Sequence, residues 1–193
     1  DGVVSVAADT FTDLAGNNNT ENPSITWAVD TVVPTIAITS DNASLIIGET
    51  AGIAFTLSEA STDFTVEDIS ASGGSLSGFA GTGAAYTATF TPTANSTADG
   101  VVSVAAGAFT DAAANASAAG DHIIFVDTAA PTIAITSSDT SLTVGETAAI
   151  NFTVSEDSYN FSIEDVNASG GSLSAFTNTG AVDVNGDIAT TTY

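Results

Sequence analysis

The chain has 193 residues, 44% of them hydrophobic, with 23 Asp and Glu, one His, no Cys, no Lys and no Arg, for a formal charge of −23. That much apolar material excludes a disordered acidic tail, and without cationic side chains this segment cannot neutralise nucleic-acid phosphate or anionic lipid. Disulfides, thiolate metal sites, Lys–Asn isopeptide staples and ordinary salt bridges are excluded too, so carboxylates that meet in the fold must stay solvated, take up a proton or share a metal ion.

Residues 1–30 open on a strand-like run, "DGVVSVAA", followed by the loop "DTFTDLAGNN" and a second apolar stretch containing Trp27. From residue 31 the chain reads as short runs of period two. "TIAIT" places Ile36 and Ile38 on one face, and "GIAFTLS" does the same with Ile53, Phe55 and Leu57. "FTV" follows with Phe64 and Val66, "DISAS" with Ile69 and Ala71, and "YTATFT" with Tyr86, Ala88 and Phe90. "GVVSVAA" supplies Val102 and Val104, and "HIIFV" supplies Ile123 and Phe125. The intervening positions are mainly Thr and Ser, which suit solvated strand faces. Between the runs lie "SDNAS", "SEAST", "SGGS", "TPTANSTADG" and "TDAAANASAAG", all turn-forming in composition. No helical stripe competes, so about seven short strands and an all-β sandwich are expected.

The pattern then restarts. "PTIAITS" begins at Pro34 and again at Pro131, 97 residues on, and 32 of the 50 positions from Pro34 to Gly83 match Pro131 to Gly180. "DGVVSVAA" recurs 98 residues on, from Asp1 to Asp99. A repeat of roughly 100 residues is the size of one immunoglobulin-like domain. Residues 1–30 therefore read as the last strands of one repeat, 31–127 as a complete repeat and 128–193 as the first part of a third. This is the expected pattern of an excerpt from a longer polypeptide, its flanking pieces completed by the parent chain or by other copies.

Together, "DTAAPTIAITS", "GETAAINFTVSE", "SGGSLS", "YTATFTPTANSTADGVVSVAAG" and "FTDLAGN" resemble the bacterial immunoglobulin-like repeats of giant surface adhesins and biofilm-associated proteins. The resemblance covers essentially the whole chain. It implies tandem Greek-key β-sandwiches forming a stalk, export to the bacterial cell surface or the extracellular space, and stiffening by Ca2+ at domain junctions. What such proteins bind is usually decided outside these repeats, so no receptor follows. The sequence departs from the family pattern at Ala114, where a Gly is usual before Asn115, and in the stretch "GAVDVNGDIATTTY" of the third repeat.

In an immunoglobulin-type Greek key the first strand begins at the same end as the B–C and F–G loops. That order would gather Asp30 of the linker, Glu59, Asp111 and Asn115 at one pole as ligands for calcium, which prefers six to eight hard oxygens. The repeat offset assigns Asp127 and Glu156 to the following junction and Asp13 and Asn17 to the preceding one, with Asp41 or Asp99 as contributors from the opposite pole. The competing reading is that Asp-x-x-x-Asn caps its own loop as an Asx turn. Glu67-Asp68 and Glu164-Asp165 read as solvated turns first and metal sites second. Asp183, Asn185 and Asp187 share the first spacings of an EF-hand, but Asn185-Gly186 between apolar runs reads better as a hairpin.

No enzyme is expected. The single His122 aligns near Ser24, so the repeat does not need it, and the nucleophile–base sets that require Cys, Lys or Arg are absent. Trp27 aligns with Phe125 and reads as a core aromatic. The expected partners are neighbouring repeats of the same chain, with a fibre of copies joined by strand complementation as the alternative. Nucleic acid is excluded, and no apolar run approaches the roughly 20 residues of a membrane span.

Overall fold

A computed structural model describes residues 1–178 and 188–192. The chain divides into two compact units, residues 1–129 and 130–193. Strands in the first unit are β1 (Gly2–Val6), β2 (Asn22–Trp27), β3 (Ile36–Ser40), β4 (Ser44–Leu45), β5 (Ala51–Ser61), β6 (Ile69–Ser72), β7 (Gly74–Pro92), β8 (Gly100–Val104) and β9 (Gly120–Val126). The second unit carries β10 (Ile133–Ser137), β11 (Ala149–Val154), β12 (Ser174–Asn178) and β13 (Ile188–Thr192). Among the described residues no helix is long and apolar enough to cross a membrane, and the stretch with Asp183, Asn185 and Asp187 lies outside those residues.

Strands β3 to β9 form an immunoglobulin-like sandwich, as the period-two runs predict. One sheet has the order β3-β5-β7 and the other β4-β9-β8-β6. The first strand of the domain is divided between them: β3 pairs antiparallel with β5, while β4 crosses over and pairs parallel with β9. Ile36, Ile38, Ile53, Phe55, Leu57, Tyr86, Ala88 and Phe90 meet Leu45, Val102, Val104, Ile124 and Val126 in one buried cluster. Each such large side chain contributes about 1.5–3 kcal/mol relative to exposure. Toward one pole, Phe55, Phe64, Phe79, Tyr86 and Phe109 pack mostly edge to face, with centroids 5.1–6.2 Å apart. This geometry adds attraction between ring edges and faces to the burial of their area.

Three expectations need correction. "FTV" is not a strand: Phe64 is buried, but Val66–Asp68 is a 3-10 turn whose Asp68 carboxylate accepts from Thr65 N and Oγ1 at 2.7 and 3.0 Å. Its repeat, Ile163–Asp165, uses Asp165 on Ser162 in the same way, at 2.9 and 3.1 Å. The Glu-Asp pairs are therefore capped turns. Second, the strand expected at "YTATFT" is far longer: β7 runs from Gly74 to Pro92, and of "SGGS" only Gly73, at φ 69°, separates it from β6.

Third, in β9 the inward residues are Ile124 and Val126, whereas Ile123 and Phe125 face solvent. Four consecutive apolar residues leave the phase of a strand open. Pairing settles it: Gly100 lies opposite Ile124 and Val102 opposite His122, so the even-numbered residues share the face of the buried Val102.

The β1–β2 hairpin repeats the β8–β9 hairpin. Gly2 pairs with Trp27 as Gly100 pairs with Ile124, and the bridge Thr12–Asn18 matches Thr110–Ala116. Trp27 thus takes the place of Ile124 rather than Phe125. In the second unit the order is β10-β11-β13-β12, with Ile133 opposite Val154 as Ile36 is opposite Leu57. Phe152, Phe161 and Phe176 rebuild part of the aromatic cluster.

Candidate metal centre at the domain pole

The F–G loop between β8 and β9 is built around Asp111. Its Oδ1 accepts from the N–H groups of Ala113 and Asn115, both at 2.8 Å, and its Oδ2 accepts from Asn115 Nδ2 at 2.8 Å. Asp13 and Asn17 form the same loop in the preceding hairpin, with all three bonds at 2.9 Å. The turn requires a left-handed residue before the Asn. Gly16 supplies it with φ 86°, and Ala114 takes the same conformation with φ 67°, so the loop keeps its shape despite the added Cβ.

Three segments converge on this loop. The linker arrives through Asp30, whose Oδ1 accepts from Val32 N at 3.0 Å and whose carbonyl accepts from Asn115 Nδ2 at 3.2 Å. Glu59 comes from near the end of β5. Pairing of Ser58 N with the Thr35 carbonyl and of Ala118 N with the Pro34 carbonyl, both at 2.9 Å, holds the start of the domain against these corners. As a result, carboxylate oxygens of Asp30, Glu59 and Asp111 lie within 4.8 Å of one another, the only such acidic triple among the described residues. Asp30 is exposed, Glu59 half-buried and Asp111 buried.

The electrostatics differ from acid to acid. Partial desolvation raises the Glu59 pKa above the usual carboxylate value, and the charges of Asp111 and Asp30 raise it further. Desolvation acts upward on Asp111 as well, but donors from the side chain and backbone of Asn115 and from Ala113 and Ala114 outweigh it and hold Asp111 below its ordinary value. One acid is thereby kept anionic while its neighbour is strained by the company of two like charges. A hard divalent cation shared by the three carboxylates would offset that cost, and carboxylate oxygens are ligands of the kind calcium takes.

The other expected ligands are held by contacts of their own. Asn115 presents its amide nitrogen to Asp111 and to the Asp30 carbonyl, so here it clamps the loop to the linker. Asp13 and Asn17 hold each other in the loop of the first hairpin, as Asp111 and Asn115 do in theirs. Asp127 repeats the linker turn of Asp30 through Ala129 N at 3.2 Å and belongs to the first unit, whereas half-buried Glu156 follows β11 in the second. At the opposite pole Asp41 accepts from Gly52 N at 2.7 Å.

A residue that sequence reasoning passed over is Asp63. It accepts from Ser61 Oγ at 2.5 Å and reaches across to Thr110 N and Oγ1 at 3.0 and 2.8 Å, tying the B–C corner to the F–G loop. The one local signal is its place just before the buried Phe64. The repeat has Asn160 there, so "STDF" reads as an ordinary polar turn.

The family model described as a bacterial Ig-like domain matches residues 30–124 and 127–187. No curated protein matches the chain. Among solved structures, a similar one is FdeC, described as a novel, broadly conserved Escherichia coli adhesin eliciting protection against urinary tract infections. It is 20% identical over 93% of this chain and 62% of its own, with a TM-score of 0.42. The chain thus spans less than two thirds of that protein's solved length.

Proposed function

Since the chain belongs to the bacterial Ig-like domain family, we propose that it is a non-catalytic segment of an extracellular stalk of an adhesin or biofilm matrix protein, stiffened by calcium where one domain follows another. The supporting observation is the meeting of Asp30, Glu59 and Asp111 in a chain without Lys or Arg. Asp30 lies in the linker, while Glu59 and Asp111 belong to the sandwich, so an ion shared by them restricts the linker relative to the domain. Asp111, already fixed by its loop, is the anchoring ligand, and Glu59 is the ligand whose charge the ion makes favourable. Repulsion among the remaining carboxylates extends the rod at low salt.

The test is thermal unfolding of the 193-residue chain in excess calcium and in chelator. Extracellular modules bind calcium at about 10⁻⁴ to 10⁻³ M, so millimolar calcium should raise the midpoint by roughly 2–10 °C. Glu59→Gln combined with Asp111→Asn should abolish that rise while the domain still folds. Equal midpoints with calcium and with chelator would eliminate the calcium joint and leave a metal-free spacer.

A further inference from the structure

The outward face of β9 is more apolar than its fold requires. Within the complete domain β9 is paired on both sides, with β8 and with β4, so its odd-numbered residues stand on a firmly bonded sheet face. On that face Ile123 and Phe125 are 50% and 62% exposed, and half-buried Val101 of β8 lies directly opposite Ile123. The flanking side chains are small: Ser44 is opposite Phe125 and Ser72 is opposite Val101. Serines do not reach over the two large side chains, which stand clear as an apolar ridge.

The first hairpin shows that the strand can be built without them. Since Trp27 takes the place of Ile124, Ser24, Thr26 and Ala28 take the places of Asp121, Ile123 and Phe125. The position between the last two keeps a large apolar side chain in both repeats. The three outward positions all change, two to a large apolar residue and one to an acid. Ile and Phe held in water add nothing to folding where Thr and Ala serve, so a contact outside the fold is the physical reason for them. The charges around the ridge select the partner. Asp121 precedes it, Asp127 follows it and Asp99 leads into Val101, all three exposed, in a chain with no Lys or Arg to neutralise them. A second copy brought face to face would set these acids against their own counterparts, whereas Lys or Arg around an apolar centre would meet them with opposite charge.

We propose that the outward face of β9, centred on Ile123 and Phe125, is a docking surface for a partner protein that presents Lys or Arg around an apolar centre. Burial of the ridge supplies the part of the affinity that salt does not screen, and the acids supply approach and orientation. The surface uses none of the three acids at the domain pole, so it stands or falls separately from the calcium joint.

The experiment uses the 193-residue chain in chelator. Two short probe peptides, one alternating Lys with Leu and the other Lys with Ser, are titrated at about 0.15 M salt while backbone amide NMR signals are followed. The variant carrying Ile123→Thr and Phe125→Ala takes the side chains of the first hairpin, and its unfolding curve serves as the folding control. Asp121→Ser changes the rim alone. The wild type should bind the Lys–Leu peptide about tenfold more tightly than the Lys–Ser peptide, from burial of one or two large side chains, with the signal changes centred on Val101, Ile123 and Phe125. The double variant should lose that preference, and Asp121→Ser should weaken both peptides at low salt while keeping it. Failure to bind, equal binding of the two peptides, signal changes centred elsewhere, or a double variant that keeps the preference would overturn the proposal. So would a wild-type dimer in sedimentation that the double variant abolishes, because it would assign the face to a second copy.

Discussion

Asp63 and Thr110, 47 positions apart in sequence, are joined by two hydrogen bonds, from Thr110 N and Oγ1 to the two carboxylate oxygens. This link closes the pole on which Asp30, Glu59 and Asp111 meet, because Thr110 immediately precedes Asp111. Asp63→Ala should therefore destabilise the complete domain by about 1 kcal/mol, at the low end for charge-assisted hydrogen bonds since the carboxylate is exposed. It should also weaken the calcium response without removing any of the three acids. Urea unfolding in chelator and in calcium measures both effects, and an unchanged calcium shift would separate Asp63 from the site.

The acids respond to pH with opposite signs. Asp13, Asp63, Asp111 and Glu146 are held below their ordinary values, chiefly by hydrogen bonds, so their contribution is present above the unfolded pKa and is lost as pH falls through the folded one. Glu59 is raised, so its contribution is full below its unfolded pKa and disappears as pH rises through its folded value. In chelator, Glu59→Gln should thus gain stability relative to wild type as pH rises from mildly acidic to neutral. In excess calcium the order at neutral pH should reverse. Melting curves across pH decide this, and parallel curves for the two proteins would show that the three acids are not coupled.

Ala114 adopts φ 67° where the preceding repeat has Gly16 at 86°. A left-handed conformation costs an Ala roughly 1–2 kcal/mol, and on replacement by Gly that gain is partly offset by the freer unfolded chain. Ala114→Gly should stabilise the domain by about 0.5–1 kcal/mol, and a destabilised variant in chemical denaturation would contradict the strain.

The two hairpins also predict different tolerance of the same change. A Cβ on Gly100 would lie 2.5 Å from Phe90 Cζ, whereas one on Gly2 would meet Trp27 Cε3 at an ordinary 3.4 Å. Gly100→Ala should cost about 1–3 kcal/mol by overpacking the core, and Gly2→Ala should change stability by less than about 0.5 kcal/mol. Comparable losses in a calorimetric pair would contradict the tighter packing at Gly100.

The repeat length, the all-β class and most inward faces are legible in the amino-acid pattern, because alternation with Thr and Ser is a local property of a half-buried strand. So is the F–G loop, since Asp111 and Asn115 close it across only four positions. Immunoglobulin topology, carried by the family resemblance, pointed to Asp30, Glu59 and Asp111 at one pole. Their approach to within 4.8 Å depends on how three separate corners of the sandwich pack. Tertiary structure alone chose Ile124 over Phe125 as the core residue, because in "HIIFV" both faces are apolar and only pairing with β8 distinguishes them. It alone revealed the Asp63–Thr110 link, which no local pattern encodes.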